Sequence, residues 1–208
     1  MKNQKHMNVL AIAGSSSKTS INKQLVSYSA GLFAPAEVNV IDLNDYEVGI
    51  FSSDKENENG IPDKIIELSK QIDNSHLLLI SLAEHNGSYS AAFKNVYDWL
   101  SRIPNRKTFG TVPIFLMATS PGGRGGASVL EIAMARFPRE GSKVLDSFSL
   151  PSFHDNFKEE ITDPIMAIEF KKKINDIKLR HFPMVFPDKS GDCGIDPSKD
   201  DCGDAIEY

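Results

Sequence analysis

The most apolar stretch of the chain limits the possible folds more than any other feature. It reads Leu77-Leu-Leu-Ile-Ser-Leu82 and places five aliphatic side chains in six positions. A strand with one wet face alternates apolar and polar side chains, whereas a strand covered on both faces is apolar throughout. The stretch therefore predicts a central strand in a sheet that carries helices on both faces.

Other segments repeat this pattern, with apolar runs alternating with segments of helical apolar spacing. The predicted strands are 8–13, 38–42, 77–82, 112–118 and 144–150, and the predicted helices are 20–33, 62–72, 91–100, 127–137 and 159–180. Such alternation implies right-handed crossovers and a mostly parallel sheet. Residues 45–60 are predicted as a polar surface loop. In the last helix, the residues expected to be available for burial are Ile161, Ile165, Ile168, Ile174 and Ile177.

Length and charge divide the chain into one domain, residues 1–187, and an acidic flexible tail, residues 188–208. The tail has seven acidic residues and two lysines and accounts for the whole net charge of −5. The neutral body argues against a nucleic-acid partner, because phosphate binding needs a surplus of Lys and Arg. No apolar stretch approaches the ~18 to 20 residues of a membrane span. We therefore expect a cytoplasmic protein with no membrane partner.

The two cysteines, Cys193 and Cys202, both lie in this tail. They provide no disulfide framework for the body. Two thiols are half of a structural zinc site, which a dimer could complete. Incidental cysteines in a disordered tail are the favoured interpretation, and no metal site is predicted.

The segment after the first strand, Gly14-Ser-Ser-Ser-Lys-Thr-Ser-Ile-Asn22, places five hydroxyls in six positions around Lys18. Where such a loop opens a helix, it offers free backbone N–H groups, hydroxyl donors and the positive end of the helix dipole, which suit a phosphate monoester. The alternative is that Ser20 merely caps the helix. Five hydroxyls exceed what capping requires, so the loop predicts phosphate binding. It lacks the Gly-Lys-Ser/Thr ending of a P-loop.

Two further segments follow the third and fourth strands. The first is Ala83-Glu-His-Asn-Gly-Ser-Tyr89, and the second, Thr119-Ser-Pro-Gly-Gly-Arg-Gly-Gly126, has four glycines in five positions. Such a run lets the main chain approach a planar ligand and direct N–H groups at its edge. A merely flexible loop is the alternative. Because ligands of such sheets bind at the carboxyl ends of the strands, all three segments are expected at one site.

Together these segments resemble the motifs of the NADPH-dependent FMN reductase family, flavodoxin-like enzymes that include quinone, azo and chromate reductases. Residues 14–22 are similar to its G-S-x-R-x-x-S-x-N motif. Residues 83–86 and 93–102 resemble P-E-Y-N and L-K-N-A-I-D-W, and residues 120–126 resemble S-P-G-x-x-G-G. Order and spacing agree over about residues 8 to 150. The chain after residue 150 carries no family motif.

The resemblance implies an α/β, flavodoxin-like three-layer α/β/α sandwich around a five-stranded parallel sheet with strand order 2-1-3-4-5. It implies bound FMN, with NADPH or NADH as reductant. The implied phosphate-side residues are Ser15, Ser17, Lys18, Ser20, Ile21 and Asn22. The residues implied to line the flavin are Glu84, His85, Asn86, Gly87 and Ser88. Those implied at the isoalloxazine edge are Ser120, Pro121, Gly122, Gly123 and Arg124.

The sequence departs from the family motifs at three positions. Ser17 stands where the family has arginine, which makes Lys18 the candidate counter-charge for the phosphate, without bidentate geometry. Ala83 replaces proline and His85 replaces tyrosine. Whether His85 hydrogen-bonds the ring or a substrate, or only shapes the pocket, stays open at this point.

The implied function is an NAD(P)H-dependent, FMN-containing oxidoreductase that passes hydride through flavin N5 to a small acceptor such as a quinone, free flavin or azo compound. No catalytic side chain is predicted, because the cofactor carries the chemistry. In the family, the helix at 91–100 adjoins a subunit interface, which implies a homodimer or homotetramer. Two alternatives remain: a flavodoxin-type electron carrier without NAD(P)H activity, and an interaction domain that has lost FMN.

Overall fold

A parallel sheet of five strands forms the middle of the computed structural model, which describes residues 7–186. The strands are β1 (Asn8–Gly14), β2 (Glu37–Ile41), β3 (Leu77–Leu82), β6 (Pro113–Thr119) and β7 (Lys143–Leu150), and a separate hairpin contains β4 (Glu84–His85) and β5 (Ser88–Tyr89). The sheet order is β2-β1-β3-β6-β7, with all neighbours parallel. Counted along the five long strands, this order confirms the prediction 2-1-3-4-5.

Helices connect these strands and cover both faces of the sheet. They are α1 (Ile21–Gly31), α2 (Ser53–Asn59), α3 (Asp63–Asp73), α4 (Ala91–Leu100), α5 (Ala127–Arg136), α6 (Phe153–Asn156) and α7 (Pro164–His181), with 3-10 turns at Leu43–Tyr46 and Pro138–Glu140. Side chains fix several helix starts. Ser20, Ser90 and Asp163 each accept a hydrogen bond from the backbone N–H three residues further on, at the first turns of α1, α4 and α7.

Two apolar cores lie on opposite faces of the sheet, and β3 contributes to both. Leu78 and Ile80 pack into the core beneath α3, α4 and α5. Leu77 and Leu79 pack into the other core, beneath α1 and α7. Every residue of β3 is buried, as the continuous apolar run predicts. The three-layer α/β/α architecture is therefore confirmed.

The predicted surface loop at residues 45–60 is wrong in part, because it contains α2. Ser52 caps this helix by accepting a hydrogen bond from the Lys55 N–H. None of its residues is buried. A helix with no buried face has no apolar periodicity, so the pattern that revealed the other helices was absent here.

The prediction for the last helix was wrong at its start and on part of its face. The helix begins at Pro164, a residue suited to the first turn, and not at residue 159. Ile161, Ile174 and Ile177 are buried, but Ile165 and Ile168 are 78% and 70% exposed. The buried face is centred on Phe170. Because each residue turns the helix by about 100°, Ile168 lies about 200° from Phe170 and faces away from the sheet.

Residues 1–6 and 187–208 lie outside the described part of the chain. The predicted acidic tail, Cys193 and Cys202 fall in that region, so the tail and the end of the predicted domain stay predictions. Among the helices of residues 7–186, none has both the length and the apolar composition needed to cross a membrane.

Candidate functional site

The carboxyl ends of β1, β3 and β6 surround a cleft of about 250 Å³. The segments after these three strands all contribute to its lining, as expected for parallel strands that end at one edge. The lining residues are Ser15, Ser17, Thr19, Ser20, Ile21, Asn22, Ala83, Glu84, His85, Thr119, Ser120 and Pro121. The remaining predicted site residues, Lys18, Asn86, Gly87, Ser88, Gly122, Gly123 and Arg124, lie in the same segments but do not line this cleft.

The segment after β1 is fixed in place at its first residue, its root, and is exposed further along, at its tip. A Cβ on Gly14 would lie 3.2 Å from Leu82 Cα, so glycine permits the close approach to β3. The Ser90 hydroxyl donates to the Gly14 carbonyl at 2.7 Å and thereby ties this root to the start of α4. Residues 16–19 beyond the root are exposed.

Several backbone hydrogen-bond donors at this tip have no partner in the described part of the chain. The N–H groups of Ser16, Lys18 and Thr19 have no hydrogen-bond partner within residues 7–186. The Ser17 N–H, in contrast, donates to Ser15 Oγ at 3.2 Å. Open N–H groups and hydroxyls just before the N-terminus of α1 form a donor set of the kind that holds phosphate oxygens.

The segment after β1 and the first turn of α1 carry two lysines, one in an ion pair and one not. Lys23 Nζ lies 2.7 Å from Asp42 Oδ2. The hydrogen bond from Lys23 lowers the pKa of the Asp42 carboxyl. Lys18 forms no ion pair with any described residue and is exposed. Of these two lysines, Lys18 is therefore the one whose charge no described residue neutralises.

Asn22 is 3% exposed, and its side chain is committed to the protein. Its Oδ1 accepts from Ser81 Oγ at 2.8 Å and from the Thr119 N–H at 3.1 Å. Its Nδ2 donates to the Thr119 carbonyl at 3.2 Å. The side chain thus joins the start of α1 to the ends of β3 and β6. What Asn22 offers a ligand is its backbone N–H, which lies in the first turn of the helix.

The segment after β3 forms a tight hairpin that was not among the predicted elements. Asn86 and Gly87 connect β4 to β5 with φ angles of 51° and 78°. Two positive φ angles are the signature of a type I′ turn, and Asn-Gly is its preferred pair. This dipeptide was therefore the signal that could have revealed the hairpin. His85 and Asn86 are exposed at its tip.

Glu84 is a half-buried member of the cleft lining that also reaches α5. Its Oε2 accepts a hydrogen bond from the Val129 N–H at 3.1 Å. The N-cap residue of α5 is Gly126, which has no side chain with which to cap the helix. A carboxylate from the hairpin therefore supplies the cap for the helix that follows the glycine-rich segment.

The four glycines of the third segment fall into two pairs. Gly125 and Gly126 have φ angles of 59° and 77°. A Cβ would lie 2.5 Å from Ser149 Oγ at Gly125 and 2.9 Å from Ala118 Cβ at Gly126. The fold itself therefore requires this pair to be glycine.

The other pair is not required by any packing within the chain. A Cβ on Gly122 or Gly123 would meet no heavy atom within 4 Å, and neither φ angle is left-handed. Both residues are exposed beside Ser120 and Pro121. Bare main chain that borders open space leaves room for a flat ligand.

The donor set of this site therefore fits FMN. Hydroxyls and open N–H groups of the segment after β1, with the adjacent Lys18, form a phosphate end, while the hairpin and the open glycine pair next to Ser120 and Pro121 form a ring end that suits a planar ligand. Arg124, which is exposed at the ring end, donates to Ser128 Oγ at 3.1 Å. Within residues 7–186, no three potential metal-ligating side chains come together.

Comparison with known proteins identifies relatives of this chain and agrees with the fold. The chain is 29% identical over 145 residues to an uncharacterised protein of Mycoplasma pneumoniae, covering 68% of this chain and 85% of that protein. It is 31% identical over 122 residues to a quinone reductase of Escherichia coli K12, covering 58% of this chain and 64% of the reductase. The chain thus spans slightly less than two thirds of that reductase.

A solved structure has the same fold. FerB from Paracoccus denitrificans, described as a flavoenzyme NAD(P)H:(acceptor) oxidoreductase, matches with a TM-score of 0.65 and 19% identity, covering 84% of this chain and 98% of FerB. The model of the family described as NADPH-dependent FMN reductase matches residues 7–155, a span that includes all three segments of the cleft. The chain therefore belongs to the NADPH-dependent FMN reductase family, and with it to the NAD(P)H-dependent flavin oxidoreductases.

Proposed function

We propose that the cleft at the ends of β1, β3 and β6 binds FMN and that the protein uses NAD(P)H to reduce a small acceptor of the quinone type. One observation carries this proposal: the three segments line a single cleft, with anion-binding donors in the segment after β1 and the open main chain of Gly122 and Gly123 next to the lining residues Ser120 and Pro121. A phosphate ester attached to a flat ring needs both kinds of surface.

At the phosphate end, the backbone N–H groups of Ser16, Lys18 and Thr19 bind oxygens, helped by the hydroxyls of Ser15 and Ser17. The exposed Lys18 supplies the counter-charge. The dipole of α1 favours the same negative charge. Ser20 caps the helix with its hydroxyl, which accepts from the Lys23 N–H at 3.1 Å, and it therefore acts mainly through the shape of the turn. Ile21 and Asn22 contribute N–H groups of the first helical turn.

At the ring end, the main chain of Gly122 and Gly123 lies against the ring, with Ser120, Pro121 and Arg124 along its edge. The hairpin residues Glu84, His85, Asn86, Gly87 and Ser88 border the ring from the side of β3. The exposed His85 is a hydrogen-bonding group in the cleft lining that an acceptor can reach. These residues bind and orient, and none is assigned as an acid or base.

The chemistry that FMN supplies when bound is acceptance of a hydride from the reduced nicotinamide and its transfer to an acceptor. The contribution of this chain is to fix the ring between the hairpin and the glycine pair. Because the cleft is open to solvent, the reductant and the acceptor can reach the same face in turn. The name of the E. coli relative supports a quinone as the acceptor.

The test is an NAD(P)H oxidation assay on purified protein reconstituted with FMN. We expect quinone-dependent oxidation of NADPH or NADH, and parallel assays with each reductant measure the preference. Free flavin and azo compounds serve as competing acceptors. A protein that holds FMN but oxidises neither nucleotide would be an electron carrier. A colourless protein that cannot be reconstituted would be an interaction domain, and either result would contradict the proposal.

Assembly and location complete the proposal. The family resemblance supports a homodimer or homotetramer, and the lack of a long apolar stretch in the sequence supports a cytoplasmic location. Light scattering coupled to size-exclusion chromatography measures the oligomeric mass, and a monomeric mass would contradict this part of the proposal without affecting the flavin site.

A further inference from the structure

Glu84 connects the two segments that the proposed function places around the ring. Its backbone belongs to β4, whereas its carboxylate accepts the hydrogen bond of the Val129 N–H in the first turn of α5. The positive end of the helix dipole favours a carboxylate at this position. Because Gly126 cannot cap α5, the helix depends on this cap from the hairpin.

The hairpin has few other anchors. Its ladder consists of two residue pairs and does not join the main sheet. A two-stranded hairpin of this length is not stable by itself. Directly opposite Glu84 in the ladder, the buried Tyr89 packs against Phe93 and Phe137, with ring centroids 5.5 Å and 6.3 Å away. The base of the hairpin is thus held by an apolar contact through Tyr89 and by a polar one through Glu84, which links it to the first turn of α5.

The same link fixes the glycine-rich segment. The Ala127 N–H donates to the Arg124 carbonyl at 2.9 Å, and the Gly125 N–H donates to the Gly122 carbonyl at 3.2 Å. Hydrogen bonds therefore join the start of α5 to the glycine-rich segment and close a turn within that segment. A shift of the hairpin relative to α5 changes the distance between the hairpin and Gly122.

We propose that Glu84 is a positioning residue: its carboxylate clamps the hairpin to α5 and so sets the width of the slot that receives the isoalloxazine ring. This inference rests on the proposed FMN site. The clamp lies on the ring side, so it acts on any ligand that carries the isoalloxazine ring, whether or not the ligand has a phosphate. Riboflavin carries the ring but lacks the phosphate, so its affinity reports on the ring end alone.

The experiment titrates apo-protein with FMN and with riboflavin, followed by quenching of flavin fluorescence. Glu84→Ala is expected to weaken both ligands by the same factor, about tenfold, because a hydrogen bond to a charged group is lost. Glu84→Gln keeps an acceptor oxygen and is expected to stay within about threefold of the unaltered protein. Glu131→Ala, which removes an exposed glutamate from the same helix, is the matched control and is expected to change neither affinity.

A second measurement follows the clamp without any flavin. Amide hydrogen exchange at Val129 is expected to be faster in apo Glu84→Ala and close to unaltered in apo Glu84→Gln. A purely structural role would lower the urea midpoint of both variants, and Glu84→Gln would not restore ring binding.

Three results would overturn the inference. They are unchanged binding of both flavins in Glu84→Ala, weakened binding of FMN alone, and failure of Glu84→Gln to rescue. If the unaltered protein itself binds no FMN, the proposed function fails, and this inference fails with it.

Discussion

The two glycine pairs of the segment after β6 differ in whether the fold requires glycine at their positions. Gly125 and Gly126 adopt left-handed backbone conformations and have no room for a Cβ, so the fold explains them. Gly122 and Gly123 adopt conformations open to any residue and face empty space. Glycines that neither packing nor backbone conformation explains therefore indicate a place where a ligand can bind.

The largest effect is expected at Gly125. In Gly125→Ala the new Cβ meets Ser149 Oγ and the Pro151 nitrogen, and the residue must hold a positive φ angle. Strain and overpacking each cost about 1–3 kcal/mol, so the free energy of unfolding should fall by roughly 2–6 kcal/mol. Urea denaturation of the apo-protein measures it. A loss below about 0.5 kcal/mol, the range of neutral surface substitutions, would break the comparison.

Next in size is Ser15→Asp, at the opposite end of the cleft. The carboxylate would face the proposed phosphate and repel it. The fold should persist, because the Ser15 hydroxyl contributes to it only by accepting a hydrogen bond from the Ser17 N–H. We expect FMN to be lost on purification and riboflavin affinity to change little. Visible absorbance of the purified variant reports the result. A yellow protein with unchanged flavin content would contradict the phosphate site.

The glycine pair at the cleft should respond in the opposite way to Gly125. In the double variant Gly122→Ala/Gly123→Ala, the free energy of unfolding should stay the same or rise by about 0.4–1 kcal/mol per site, because the unfolded chain loses freedom. The affinity for FMN and for riboflavin should fall together, by about tenfold, since one methyl group on each residue fills the slot. Urea denaturation and flavin titration on the same preparation give both numbers. Unaltered flavin affinity would show that the ring lies elsewhere.

The smallest effect is expected at Lys18. An exposed charge contributes about 1 kcal/mol or less, which corresponds to a loss of roughly fivefold or less in FMN affinity for Lys18→Ala. The salt dependence of FMN binding should become weaker, and riboflavin binding should not change. Titrations at low and high ionic strength provide the check. Lys23→Ala is the control, because Lys23 is already paired with Asp42.

Sequence reasoning recovered the sheet because burial leaves a strong local signal. The continuous apolar run at 77–82 predicted a strand covered on both faces, and the remaining apolar runs predicted its neighbours. The helix at Ser53–Asn59 was missed because it buries nothing. Ile165 and Ile168 were assigned to the core although the helix turns them outward, since apolar identity alone does not fix the face.

The candidate site was predictable as a set of segments but not in the roles of its side chains. Asn22 reaches Thr119, 97 positions away, and Glu84 reaches Val129, 45 positions away. No local pattern contains such partners, because they meet only when the sheet brings strand ends together. The hairpin turn, in contrast, is specified by two adjacent residues, Asn86 and Gly87, and could have been predicted from the sequence.

The central claim is tested most directly by a crystal structure of this protein determined with FMN. The account predicts that the phosphate accepts hydrogen bonds from the N–H groups of Ser16, Lys18 and Thr19 and that the ring rests on the main chain of Gly122 and Gly123. A flavin bound in another cleft, or a phosphate that makes no contact with residues 15–20, would contradict it.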